Sequence, residues 1–71
     1  MERGTIVSWN AGTGVIRADS GDRILLFYWA VVQGFRHLTV GRQVEFSRIV
    51  GLGGLERNVA GLVVPIVTAA D

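Results

Sequence analysis

The chain has 71 residues, seven basic against six acidic side chains for a net charge of +1, and no cysteine. That length holds one small domain, the charge carries no polyanion-binding signature, and the absent thiols exclude a disulfide framework, a thiolate metal site and a cysteine nucleophile. Hydrophobic residues make up 49%, so some apolar surface is expected to stay accessible for binding.

Glycines punctuate the chain. Gly4 precedes a β-rich run, Thr5-Ile6-Val7-Ser8-Trp9, and Asn10-Ala11-Gly12 is a turn signal. A second short run contains Val15-Ile16. Asp19-Ser20-Gly21-Asp22 is the next turn, which predicts that the second and third runs form a hairpin. The third run, Ile24 to Val32, has nine residues without charge or amide, bracketed by Arg23 and Gln33. A membrane span needs about 20 apolar residues, so the run predicts a strand that enters its following turn, with Ile24 and Leu26 facing the core and Leu25 and Phe27 facing out. An irregular connection, Phe35 to Gly41, leads to Arg42-Gln43-Val44-Glu45-Phe46, whose period of two marks a half-buried strand. Gly51-Leu52-Gly53-Gly54 is a loop signal. A fifth run goes from Asn58 to Val64, and Pro65 weakens its end or places it at an edge.

No segment keeps helical periodicity for three turns. Short strands between glycine turns predict an all-β domain, a small antiparallel sheet or barrel over residues 1–67, with a frayed tail at 68–71. Met1-Glu2-Arg3-Gly4 lacks a basic-then-apolar leader, which predicts a cytoplasmic protein.

Catalytic chemistry is poorly represented. His37 is the lone histidine, in a loop with no acidic neighbour within five residues on either side, and reads as a solvated side chain. The carboxylates are scattered; Asp19 and Asp22 read as turn formers rather than a general acid/base pair. Without lysine there is no P-loop, and Gly12-Thr13-Gly14 is too short for a dinucleotide fingerprint. The expectation is a protein that is not an enzyme and needs no cofactor or metal.

Taken together, turns and strands resemble the cold-shock domain family, the small five-stranded OB-fold barrel. "GTIVSWN" (4–10) resembles that family's opening G-[KT]-V-K-W-F-N, and "GTGVI" (12–16) falls where its first RNA-binding motif, K-G-F-G-F-I, lies. "DRILLFYWAV" (22–31) resembles the second motif, D-V-F-V-H-F-S-A-I. "GFRHLTVGRQVEF" (34–46) keeps the spacing of glycine, aromatic, leucine, glycine, valine and phenylalanine in G-[FY]-K-[ST]-L-x-x-G-x-x-V-x-F. Asn58-Val59 matches part of the closing A-N-V. The resemblance covers roughly residues 4–63 and implies a five-stranded antiparallel OB-fold barrel.

It also implies binding of single-stranded RNA or DNA, with bases stacked on aromatic side chains of strands one to three and basic side chains along the phosphates. Carried over residue by residue, the platform keeps Trp9, Phe27, Tyr28 and Phe35, with Arg17 and Arg36 near the strand's backbone. Ser8, Thr13, Val15 and Leu25 replace aromatic positions, and Val15 and Leu25 remain apolar there. The core positions Ile6, Ile16, Ile24, Leu26, Val31, Val44 and Phe46 are retained, as is Gly14. With few phosphate contacts, binding is expected to be weak or confined to a short site. The alternative use of the face is an apolar patch of Val15, Leu25, Phe27 and Tyr28 for a homo-oligomer or another protein. Trp29 is expected to pack against the barrel's edge, and Arg42 and Arg48 to act as solubility charges.

Overall fold

The computed structural model describes residues 1–31, 38–50 and 58–66. The strands are β1 (Glu2–Asn10), β2 (Thr13–Ala18), β3 (Arg23–Phe27), β4 (Gln43–Val50) and β5 (Asn58–Pro65). They close into an OB-like barrel in the neighbour order β1-β2-β3-β5-β4. A single 3-10 turn, Tyr28–Ala30, follows β3. Phe35, Arg36, His37, the loop at 51–54 and the tail at 68–71 lie outside the described residues.

The barrel is not purely antiparallel. Neighbours β1/β2, β2/β3, β1/β4 and β4/β5 run antiparallel, while β3 and β5 run parallel where Leu25 meets Val59. Strand directions can alternate around a closed ring only when the number of strands is even. Five strands therefore require at least one parallel seam, and here it is short, extended by the parallel bridge Val31 to Val63.

Period-two alternation supplies the core. Ile6, Ile16 and Ile24 are successive cross-strand partners and are fully buried, joined by Leu26, Val44, Phe46, Val59 and Val63. Val31 is half-buried and packs against this cluster. The β2–β3 hairpin forms around the predicted turn: Ala18 N donates to Asp22 O at 2.9 Å and Gly21 N to Ala18 O at 2.8 Å. Pro65 closes β5, a position that spares the ladder its missing donor.

A β-bulge interrupts β1. Ile6 pairs with Ile16, yet Ser8 pairs with Val15, so Val7 is the extra residue. Uninterrupted alternation would send Ser8 inward with Ile6. The bulge leaves both Val7 and Ser8 exposed and gives Trp9 the inward parity, opposite Gly14, where it is half-buried against the core. Gly14 permits this close approach: a Cβ there would fall against the Ser8 carbonyl oxygen and lie 3.0 Å from Trp9 Cε3.

The β1–β2 turn stores strain. Ala11 has φ of 54° and Gly12 of 83°, the positive pair that a two-residue hairpin turn requires. Gly12 meets this freely, whereas alanine in the left-handed region costs about 1–2 kcal/mol. Asparagine tolerates that region better. Ala11→Asn is therefore expected to stabilise the domain by about 1 kcal/mol, a rise of about 5 °C in a thermal melt.

Arg48 is not a free solubility charge. Its Nε and Nη2 donate to Glu2 at 2.8 and 2.6 Å, and its Nη1 donates to Asp22 Oδ2 at 2.8 Å. One guanidinium thus ties the start of β1 and the β2–β3 turn to β4. The hydrogen bonds to Glu2, then the one to Asp22, hold its pKa above the ordinary arginine value. Arg42 is likewise half-buried just before β4. A lysine has no fork and cannot hold both carboxylates in this planar geometry. Arg48→Lys is expected to lower the melting temperature, with the gap from the parent narrowing in 1 M salt as screening weakens the parent's ion pairs; paired melts at low and high salt check this.

Candidate nucleic-acid interface

The register of β1, β2 and β3 arranges their outward side chains in rows. Thr5, Arg17 and Arg23 form the first row, Ser8, Val15 and Leu25 the second, and Asn10, Thr13 and Phe27 the third. Direct cross-strand partners sit about 5 Å apart at Cβ, so each row is a contact set. Successive rows are about 7 Å apart along the strand. The face therefore changes from cationic through apolar to aromatic over about 13 Å.

The aromatic end is larger than a strand reading gives. As the chain leaves β3 through the 3-10 turn, Trp29 stacks on Phe27 with centroids 5.8 Å apart and planes 6° from parallel. Trp29 keeps 51% of its exposure. It lies on the aromatic face and extends it. Tyr28 is exposed at the adjoining rim, where its N–H donates to Gly12 O at 2.9 Å and its ring covers Gly12. Neither Phe27 nor Tyr28 belongs to the core: Phe27 is half-buried and outward, and Tyr28 is exposed.

Three shallow hollows follow this gradient. The first contains Arg17, Arg23, Ser8 and Val15; the second contains Ser8, Val15, Leu25, Phe27 and Trp9; the third lies between Trp9, Gly12 and Tyr28. Ser8 and Val15 belong to the first two, and Trp9 to the last two. The first two hollows thus adjoin along the outer face, and the third borders them at the rim through Trp9.

Of the residues expected at the site, Val15, Leu25, Phe27 and Arg17 share the outer face of β1–β3. Trp9 and Tyr28 sit at its aromatic rim, with Trp9 turned partly inward by the bulge. Phe35 and Arg36 lie outside the described residues. Arg23 and Trp29 join the face beyond what the motifs pointed to. The signal for Arg23 was available by counting outward from the Asp19–Asp22 turn, which sets it opposite Arg17. Trp29 carried no such signal, because the 3-10 turn ends the period of two at Phe27.

Among the described residues, no three His, Cys, Asp or Glu side chains come together as a metal site would need, and no helix is long and apolar enough to cross a membrane. Compared with known proteins, the chain matches no family model and no curated protein.

Proposed function

We propose that this is a divergent cold-shock-like protein that binds short single-stranded RNA or DNA in the cytoplasm, chiefly by base stacking. The observation that carries the reading is the continuous track on the outer face of β1–β3, which ends in the Phe27–Trp29 ring pair. A base laid on the half-exposed Trp29 would extend an existing stack, and Phe27 holds that indole in place. Each base stacked on an aromatic side chain is worth about 1–3 kcal/mol. Val15 and Leu25 offer an apolar floor but no π-face, so the stacking part of the site is short. Guanidinium, apolar and aromatic groups hold a strand and transfer no proton, so the activity proposed is binding rather than catalysis.

Titrating the protein with oligothymidine and oligouridine hexamers tests this through the fluorescence of Trp9 and Trp29. Salt-sensitive quenching is expected. Absence of quenching at high micromolar protein would overturn the proposal.

A second reading rests on the apolar row in which Val15 and Leu25 are direct partners. With Phe27 and Tyr28 they would form a contact patch for a second copy or another protein. Sedimentation separates the two readings: a monomer up to millimolar concentration counts against self-association, and concentration-dependent dimers that oligonucleotide does not dissociate favour it.

A further inference from the structure

We infer that Arg17 and Arg23 form a phosphate subsite, which seats a backbone phosphodiester of the same strand whose bases stack on Phe27 and Trp29. The inference rests on the proposed function and adds a second anchoring point to it.

The pair is hard to explain by folding alone. Arg17 and Arg23 are direct cross-strand partners, and both are exposed. Like charges placed directly opposite on a sheet destabilise it. Other arginines on the described strands have carboxylate partners: Arg3 lies 3.7 Å from Glu45, and Arg48 holds Glu2 and Asp22. Among the described residues, Arg17 and Arg23 form no ion pair. Asp22 lines the same hollow, but its carboxylate accepts from Arg48 Nη1 at 2.8 Å. Asp19, the other acidic residue of the turn, pairs with neither arginine.

The surroundings suit an anion on a chain. The hollow has a volume of about 410 Å³ and is walled by Val7, Ser8 and Val15 beside the two arginines. The β1 bulge turns Ser8 outward, so its hydroxyl can donate beside the guanidinium groups. At the mouth, a Cβ on Gly21 would meet nothing within 4 Å, so the approach is open. Planar guanidinium forks match phosphate oxygens in pairs, and each such hydrogen bond is strengthened by charge on both partners. Arg23 and Phe27 lie four residues apart on one strand, about 13 Å. A mononucleotide is too short to reach both ends. The ligand that uses the whole track is an oligonucleotide, laid along β2 and β3 with a phosphate at one end and a stacked base at the other.

The test measures the affinity of hexathymidine, unphosphorylated and terminally phosphorylated, over a range of salt for the parent, Arg17→Gln, Arg23→Gln and the double variant. One phosphate neutralised on a single strand contributes a slope of about −0.7 to log K against log salt. The double variant is expected to lose that increment and to bind roughly tenfold more weakly at low salt. Its melting temperature should equal or exceed the parent's, because the like-charge pair has gone. If the double variant keeps the parent's affinity and slope while quenching persists, the subsite is wrong and the stacking proposal stands. If the parent gives no quenching, the stacking proposal fails and the subsite with it. Weaker binding accompanied by a lower melting temperature would mark the pair as structural and overturn the assignment. Loss seen only with terminally phosphorylated strands would assign the hollow to a terminal phosphate and overturn the backbone reading.

Discussion

Gly14→Ala is expected to destabilise the domain by about 2–3 kcal/mol, which lowers the melting temperature of a chain this small by about 10–20 °C. The added Cβ would meet the Ser8 carbonyl oxygen, a backbone atom within the β1 bulge, and Trp9 Cε3 at 3.0 Å. Neither neighbour can yield cheaply. Moving Ser8 disturbs the pairing with Val15, and moving Trp9 strips its ring from the core cluster. A control lies next to it: Thr13 is exposed and gives up only a 3.2 Å hydrogen bond to Asn10 O. Thr13→Ala is therefore expected to stay within about 0.5 kcal/mol of the parent. Thermal melts by circular dichroism, with the tryptophan emission maximum followed in parallel, check both variants. A Gly14→Ala protein that melts within a few degrees of the parent would mean that β1 and β2 do not approach this closely.

Trp29→Ala is expected to weaken oligothymidine binding by about 1–3 kcal/mol, roughly five- to 150-fold. Its effect on stability should be small, because the indole is half-exposed and stacks on Phe27, which is itself outward-facing. Trp29→Phe should recover much of the loss, since it restores a ring face without the indole nitrogen. The converse substitution is as informative. Leu25 faces out in the middle row, directly opposite Val15, and the cold-shock resemblance puts a stacking ring at that position. Leu25→Phe is expected to tighten binding by about 1 kcal/mol, roughly fivefold. Fluorescence or calorimetric titration at fixed low salt checks all three. Unchanged affinity in both Trp29→Ala and Leu25→Phe would rule out stacking on this face.

Much of the barrel is legible in the sequence because its cause is local. Glycine and Asx turns end the strands, and a period of two selects Ile6, Ile16, Ile24, Leu26, Val44 and Phe46 for the interior. What escapes a local reading depends on closure. The salt bridges of Arg48 reach Glu2 across 46 positions and Asp22 across 26, so no short window contains them. The parallel seam follows from the parity of the strand count, a property of the ring and not of any one strand. At the candidate site, the outward placement of Val15, Leu25 and Phe27 is read from simple alternation. The one-residue bulge at Val7 is not, because its residue types look like any other strand, and it alone decides that Ser8 faces out and Trp9 turns in. The like-charged Arg17–Arg23 pair emerges only when the hairpin register is counted through its turn.

The most direct test is a nitrogen–proton correlation NMR spectrum of labelled protein, recorded as hexathymidine is added at low salt. Shifts are expected to trace the track: amides of Ser8, Val15, Arg17, Arg23, Leu25 and Phe27, with the indole N–H of Trp29 among the largest. Unchanged spectra, or shifts centred on the β4–β5 face around Glu45, Leu62 and Val64, would contradict binding along β1–β3.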